Sequence, residues 1–104
     1  MADTAARLVG PTQLAASATT IYTVPASTTA TILHIIVCNT TTGPVSVYLS
    51  IGADAAGTRL WHNQPVVGIL ELKGFIVLTA AQILQAYASA ASSATITVNG
   101  VLTT

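Results

Sequence analysis

The chain has 104 residues, of which 52% are hydrophobic and only 6% are charged, and its formal net charge is zero. This length suits one compact domain with its own core. An ordinary soluble domain has about 25% charged residues, so this surface carries few charges that oppose association. The composition therefore predicts a subunit whose surface is largely covered by neighbouring chains.

The charged residues are too few and too scattered for several classes of partner. The cations are Arg7, Arg59 and Lys73. Nucleic acids and anionic membranes both require clustered basic residues, so we expect neither as a partner. The most apolar run, 32–38, contains His34 and is far shorter than a membrane span. Residues 1–4 show no signal-peptide pattern, and the single cysteine excludes an internal disulfide.

The chain divides into an N-terminal segment and one β domain. Residues 1–17 are rich in alanine and broken by Gly10-Pro11, which predicts an N-terminal arm or a short helical piece. Residues 18–104 are dominated by Val, Ile and Thr, with turn residues at short intervals, which predicts an all-β sandwich domain that is jelly-roll-like. The predicted strands are 19–24, 30–39, 45–51, 58–62, 66–72, 75–79, 83–89 and 94–102.

Two of these strands have informative patterns. The strand predicted over 30–39 is apolar on both faces, so we expect a central strand or one whose outer face meets another subunit. One face is predicted to hold Ile32, Ile36 and Cys38, and the other Leu33, Ile35 and Val37. The strand over 45–51 alternates, with its apolar positions facing the core. Because one lysine serves the whole chain, the sheet edges are poorly guarded, and we expect partner chains to cover them.

The sequence shows no catalytic or metal-binding pattern. His34 and Cys38 are four residues apart, which on a strand is about 13 Å, too far for one zinc ion. A His34 from each subunit meeting at a symmetry axis stays an alternative to a packed histidine, and Cys38 is expected to be a small buried apolar residue. His62, Asp54 and a serine lack any supporting nucleophile motif. We therefore expect no enzyme, no cofactor and no metal.

The aromatic residues allow two interpretations. The rings of Tyr22, Tyr48, Tyr87 and Trp61 could stack on sugars in a carbohydrate-binding module, although five aromatic residues are few for a lectin. Tyr48 falls on the polar face of its strand, and Tyr and Trp are enriched at protein contacts. We prefer an assembly interface, with core packing as the alternative for Trp61. The candidate assembly contacts are Arg7, Leu8, Leu14, Tyr48 and Trp61.

Several segments resemble small virion proteins of tailed bacteriophages and prophages. Residues 21–30, IYTVPASTTA, resemble the YTVPAGTTA opening of that group. The continuations HIIVCNT at 34–40 and VSVYLSIG at 45–52 are similar too. Residues 78–86, LTAAQILQA, look like the group's LEAGDxIxA segment, and 95–101, TITVNGV, look like its closing strand.

The resemblance covers residues 19–102 and implies a β-sandwich used in virions. It implies first a capsid decoration (cement) protein, with a collar, neck, tail or fibre component as the alternative. The implied partners are further copies of the chain, as a homotrimer, and the major capsid protein. The implied location is the virion, assembled in the bacterial host cytoplasm. The chain departs from the group at Ala81, where glycine is usual, and at Gln82, where aspartate is usual, which bears on the type of turn there.

Overall fold

The computed structural model describes residues 3–104, which form eight β-strands in two antiparallel sheets of four. The strands are β1 (Asp3–Gln13), β2 (Thr19–Thr23), β3 (Thr29–Asn39), β4 (Val45–Ile51), β5 (Arg59–Val66), β6 (Ile69–Leu78), β7 (Ile83–Ala88) and β8 (Ala94–Thr103). Among these residues there is no helix with the length and apolar character to cross a membrane.

The strand order is that of a jelly roll. The first sheet has the order β1-β8-β3-β6 and the second the order β2-β7-β4-β5. The antiparallel pairs β1–β8, β2–β7, β3–β6 and β4–β5 alternate between the two sheets. The chain therefore doubles back on itself at the β4–β5 loop and wraps into two packed layers. The predicted all-β sandwich is confirmed.

The core lies between the sheets and is built by alternation along each strand. In β4, Val45, Val47 and Leu49 are buried and Ile51 is half-buried, as their spacing predicts. The other strands add buried side chains of the same kind, among them Ile32, Ile35, Val37, Leu78, Leu84, Ile96 and Val98. Apolar residues from all eight strands thus contribute to one hydrophobic core or pack against it.

The described part of the predicted N-terminal arm is an edge strand, neither loose nor helical. Residues 3–13 form β1 and pair with β8, and Val9 and Leu14 are only 4% and 2% exposed. Two register shifts interrupt this pairing, one between Arg7 and Val9 and one between Val9 and Thr12, and the second spans Gly10-Pro11. Because these irregularities break the period of two, the sequence of β1 does not show a strand pattern.

Two predicted interruptions are wrong. The break at 63–65 lies inside β5, where Asn63 has a φ of 52° and Pro65 pairs with Ser46. Since β5 is the last strand of its sheet, Pro65 can lack an N–H without losing a ladder bond. The turn predicted at Lys73-Gly74 lies inside β6, which therefore runs unbroken where two strands were predicted.

The bulge that replaces this turn also changes the faces of β3. The pairing of β3 with both neighbours shifts register at Leu33. Ile32 and Ile35 consequently both face the core, whereas His34 and Ile36 face outward. The predicted grouping of Ile32 with Ile36 and Cys38 on one face is therefore wrong, because strict alternation fails at a bulge. β3 is nevertheless a central strand with an apolar outer face, as its composition predicts.

Candidate functional site

The large apolar side chains that remain exposed are concentrated on one side of the sandwich, where β5 and β6 form the sheet edges. Across residues 3–104 the exposed ones are Leu33, Leu60, Val67, Ile69, Phe75 and Val77. Three of them project from β6, and Val67 lies in the turn that precedes it. Phe75 is 75% exposed and Ile69 65%. We call Val67, Ile69, Phe75, Val77 and the adjacent Leu33 the apolar edge.

The position of β6 in the sheet makes this exposure unusual. β6 ends the first sheet, and β3 is its only neighbour among residues 3–104, so within this range the backbone groups on its other side are open. Its inward side chains, Leu70, Leu72 and Ile76, pack against the core. Its outward side chains are Ile69, Glu71, Lys73, Phe75 and Val77. Soluble proteins avoid long edge strands that are open and apolar, and a clustered apolar surface marks an interaction site.

Four polar side chains on the outer face of the first sheet lie in one row across it. The strand registers place Arg7 opposite Asn99, Asn99 opposite His34, and His34 opposite Lys73. Glu71 Oε2 lies 3.0 Å from His34 Nε2 and 4.0 Å from Lys73 Nζ. These pairs are open to solvent, so they add little to stability. They do separate the apolar edge into two halves.

A second cluster lies on the outer face of the other sheet. Tyr48 and Tyr87 are opposite residues of β4 and β7, and their rings stack with centroids 4.4 Å apart. The His62 ring meets Tyr48 edge-on at 5.7 Å. The guanidinium carbon of Arg59 lies 4.9 Å from the Tyr48 ring centroid, and Arg59 Nη2 donates to the Tyr87 hydroxyl at 3.1 Å. We call these four residues the aromatic cluster.

Asp54 holds this cluster to the β4–β5 loop. Arg59 donates to both carboxylate oxygens of Asp54, each at 2.9 Å, and the two side chains are only 18% and 16% exposed. The hydrogen bonds from Arg59 lower the pKa of Asp54, and those to Asp54 raise the pKa of Arg59. Gln85 accepts the Asp54 N–H at 2.9 Å and donates to Thr20 at 3.0 Å. The loop is thereby fastened across three strands.

The groups of the aromatic cluster interact mainly with one another, which is typical of a structural role. The charge of Arg59 is matched by Asp54, and the facing sides of Tyr48 and Tyr87 cover each other. Residues 3–104 contain neither a surface pocket nor a group of three or more metal-ligating side chains. His34 and Cys38 both face outward from β3, but Cys38 pairs with Ile69 and Thr95, away from the row that holds His34.

The structure separates the five predicted assembly contacts. Leu14 is 2% exposed and belongs to the core, so its side chain is not a surface contact. The local sequence does not predict this burial, because the preceding strand β1 lacks regular alternation. Leu8 and Trp61 are partly buried and pack against the core. Arg7 is exposed on the first sheet, and Tyr48 lies on the outer face of the second. These residues form no common surface.

The four aromatic residues considered for sugar binding are also separated. Tyr22 and Trp61 pack against the core, whereas Tyr48 and Tyr87 stack on the outer face. The Tyr22 hydroxyl is buried without a hydrogen-bond partner among residues 3–104, and burial raises its pKa. A single ring platform of the kind expected for a sugar site is not formed.

The apolar edge was missed by the sequence reasoning, although its signal is present. The outward positions of β6 are every second residue, namely Ile69, Glu71, Lys73, Phe75 and Val77. Three of these five side chains are large and apolar. The turn predicted at Lys73-Gly74 divides this row between two short predicted strands, so the row does not stand out in the sequence. The exposure of the row follows from β6 lying at the end of the sheet, which depends on strand order and not on local sequence.

Comparison with known proteins adds evidence on the fold. No protein-family model matches the chain, and no curated protein does. Among solved structures, the chain is similar to a protein of Bacillus endospore appendages, described as a novel family of disulfide-linked pili. The TM-score is 0.53 and the identity 15%, over 98% of this chain and 88% of that one. A pentameric capsid protein from metagenomic phage sequences has a TM-score of 0.37 and 17% identity, over 88% of this chain and 57% of that one. At 15% identity, the first likeness shows a shared fold only.

Proposed function

We propose that the chain is a non-catalytic structural subunit of a tailed-bacteriophage virion that joins neighbouring protein chains through its apolar edge. The observation that carries the assembly role is the exposure of Ile69, Phe75 and Val77 on an edge strand whose second side is open. A partner strand there would pair the open backbone groups and cover the side chains in the same step.

The energetics favour burial of this edge. Fully burying one large apolar side chain is worth about 1.5–3 kcal/mol before the costs of association are subtracted. Stable protein contacts bury about 1,200–2,000 Å² in total, which exceeds what one strand edge supplies. The proposed subunit therefore contacts its neighbours over more than the apolar edge. Arg7 and Tyr48, on the two outer faces, stay candidates for those further contacts.

The resemblance to small virion proteins supports the virion as the site of assembly. Two of the resembling segments, 21–30 and 78–86, lie against each other in the structure. Val24 N–H donates to the Gln82 carbonyl at 2.9 Å, and Ala81 N–H donates to the Val24 carbonyl at 3.1 Å. They therefore build one local unit. Jelly rolls also occur in viral capsid domains, which is an analogy of architecture alone.

Within the virion, we propose capsid decoration, with the major capsid protein as partner. The low charge of the chain and its exposed apolar edge suit a subunit that covers and joins neighbouring chains. A collar, neck, tail or fibre component uses the same kind of subunit, so the experiment separates these positions.

The test is to delete the gene for this chain from the phage genome that encodes it and to examine purified particles. For a decoration protein, we expect complete particles that lack the chain and release their DNA at a lower temperature, with restoration by the added native chain. Heads without tails, or particles that do not join head to tail, would place the chain in the collar or tail. Absence of the chain from native particles would overturn the virion role.

A further inference from the structure

The outward residues of β6 and its preceding turn have a pattern that is symmetric about Leu72. On either side of Leu72, the outward positions are first charged and then apolar. Glu71 and Ile69 precede it, and Lys73 and Phe75 follow it. One step farther out, Val67 mirrors Val77, and these two are 78% and 46% exposed. The two charges that mirror each other have opposite sign.

We propose that β6 pairs antiparallel with β6 of a second copy of the chain, about a two-fold axis at Leu72. In this register Glu71 of each copy lies opposite Lys73 of the other, and Ile69 lies opposite Phe75 across the bulge at Gly74. Opposite residues in an antiparallel pair have Cβ atoms about 4.5–5.5 Å apart and lie on the same face. The contact therefore joins two pairs of opposite charges and two pairs of exposed apolar side chains.

The topology permits this contact. β6 is the last strand of its sheet, and its far side has no partner strand among residues 3–104. Pairing two copies would join their first sheets into one continuous eight-stranded sheet, and β1 would lie at both ends. A two-fold contact uses the same patch on both subunits, which a strand that is complementary to itself supplies.

The neighbouring registers are disfavoured by charge and by face. Moving the axis to Glu71 places the two copies of that carboxylate opposite each other, and moving it to Lys73 does the same for the two ammonium groups. Like charges directly opposite each other are destabilising. An axis between two residues would place each core-facing residue of one copy opposite an outward-facing residue of the other. The inner face of one sheet would then adjoin the outer face of the other. Axes at Leu70 or Gly74 avoid both conflicts but place each charge opposite an apolar side chain, so Leu72 is the axis that also pairs opposite charges.

A second copy fits the edge better than an unrelated strand, because the charges of β6 complement each other. This inference deepens the proposed assembly role and rests on it for its use in the virion, but the contact itself is a property of the purified chain. It joins subunits in pairs.

The first test measures self-association of the purified chain by sedimentation equilibrium. We expect the native chain to dimerise. Glu71→Lys or Lys73→Glu alone should weaken dimerisation by about tenfold, because each creates two like-charged pairs. The double variant Glu71→Lys/Lys73→Glu should return to within about threefold of the native dissociation constant. Asp3→Lys is the matched control, a charge reversal at an exposed residue on the opposite edge, and should leave dimerisation unchanged.

The second test fixes the register by cross-linking in a Cys38→Ser background. Glu71→Cys and Lys73→Cys chains, mixed and oxidised, should form a disulfide between the two different chains. Neither chain alone should cross-link efficiently, since the like positions lie about 7–8 Å apart on the diagonal, beyond easy disulfide reach. Efficient cross-linking of either chain with itself, or failure of the double charge variant to restore dimerisation, would overturn the axis at Leu72.

The outcomes distinguish this inference from the proposed function. A native chain that stays monomeric at high concentration yet decorates particles would overturn the β6 contact and leave the virion role intact. If the chain forms a dimer with the predicted register but is absent from native particles, the β6 contact would stand and the virion role would be overturned. A dimer that is insensitive to both charge changes would show that another surface forms it.

Discussion

The two sides of the sandwich protect their open strand edges to different degrees. On one side, β1 carries Arg7, Gly10-Pro11 and two register shifts, and β2 has only five residues. On the other side, β6 has ten residues and exposes Phe75 and Ile69. Charge, proline, irregularity and shortness are the usual protections of an edge. The chain can evidently protect an edge. On β6, however, the charges of Glu71 and Lys73 and the bulge at Gly74 leave large apolar side chains exposed on either side of them, which indicates an interface.

The largest expected effect tests the frame that holds β6 in place. Gly100 of β8 lies under the β3 bulge, and a Cβ added there would come within 2.1 Å of the Thr31 carbonyl oxygen. Gly100→Ala should therefore lower the free energy of unfolding by at least about 3 kcal/mol, because backbone must move. Urea unfolding measures it. Gly10→Ala, where nothing lies within 4 Å of the added Cβ, is the control, and equal losses in the two variants would contradict the bulge geometry.

Leu14 provides the next test, on the protected side. It follows β1 and is buried in the core, with its N–H donating to the Ala94 carbonyl at 2.9 Å. Leu14→Ala should cost about 3 kcal/mol of unfolding free energy through lost burial and a cavity. Leu60→Ala, at a side chain 42% exposed on the open side, should cost less than about 1 kcal/mol. If Leu14→Ala were silent in urea unfolding, the N-terminal segment would be an arm after all.

Phe75 should show the reverse behaviour. Its ring is 75% exposed, so Phe75→Ser should change the free energy of unfolding by no more than about 0.5 kcal/mol. Self-association should nevertheless weaken at least about tenfold, because two exposed rings are lost from each dimer. Gln13→Ser, on the β1 edge, is the control for both measurements. Unchanged sedimentation of Phe75→Ser would remove the apolar edge from the interface.

The contrast between the two sides also explains what the sequence could predict. The alternation of β4 and the turns around it are local, and they were predicted within a residue or two. β1 was not recognised as a strand, because bulges hide its alternation. The turn predicted at Lys73-Gly74 is a bulge, since β3 pairs with β6 on both sides of it. Whether a Gly-containing pair is a turn or a bulge depends on the partner strand, which the local sequence does not contain.

In the candidate site, too, some features follow from local sequence and others from the order of the strands. The outward direction of Tyr48 follows from its place in an alternating strand and is seen in the structure. Its stacking on Tyr87 requires β7 to lie beside β4, which is set by the order of the sheet. The apolar edge likewise exists only because β6 ends its sheet. Composition predicted that some surface is covered by neighbours, but only topology shows which surface that is.

The turn that ends β6 gives a smaller test, in the stabilising direction. Ala81 has a φ of 67°, and Gln82 N–H donates to the Thr79 carbonyl at 3.1 Å, as in a turn that favours glycine at its third position. Ala81→Gly should raise the free energy of unfolding by about 1 kcal/mol, because the left-handed backbone strains alanine. Ala80→Gly, which has no positive φ to relieve, should give no gain. A loss on Ala81→Gly would contradict the left-handed turn.

The smallest expected effect concerns Asp54 and shows that the open side also has a polar anchor. The Arg59 hydrogen bonds hold the pKa of Asp54 below its ordinary value in the folded chain. The carboxylate therefore stabilises the fold at pH values above its unfolded pKa of about 3.9, and this contribution disappears as the pH falls through the lowered folded value. The native unfolding midpoint should accordingly fall more steeply with acid than that of Asp54→Asn.

Urea unfolding between about pH 6 and pH 2.5 measures this difference, with Asp3→Asn as the control at an exposed carboxylate on the protected side. We expect Asp54→Asn to be the less stable protein near neutral pH and to approach the native curve in acid. Parallel curves across the whole range would mean that the Asp54–Arg59 pair does not hold the β4–β5 loop. In that case the open side would lack its polar anchor, and β5 would be held by its pairing with β4 and by its core side chains.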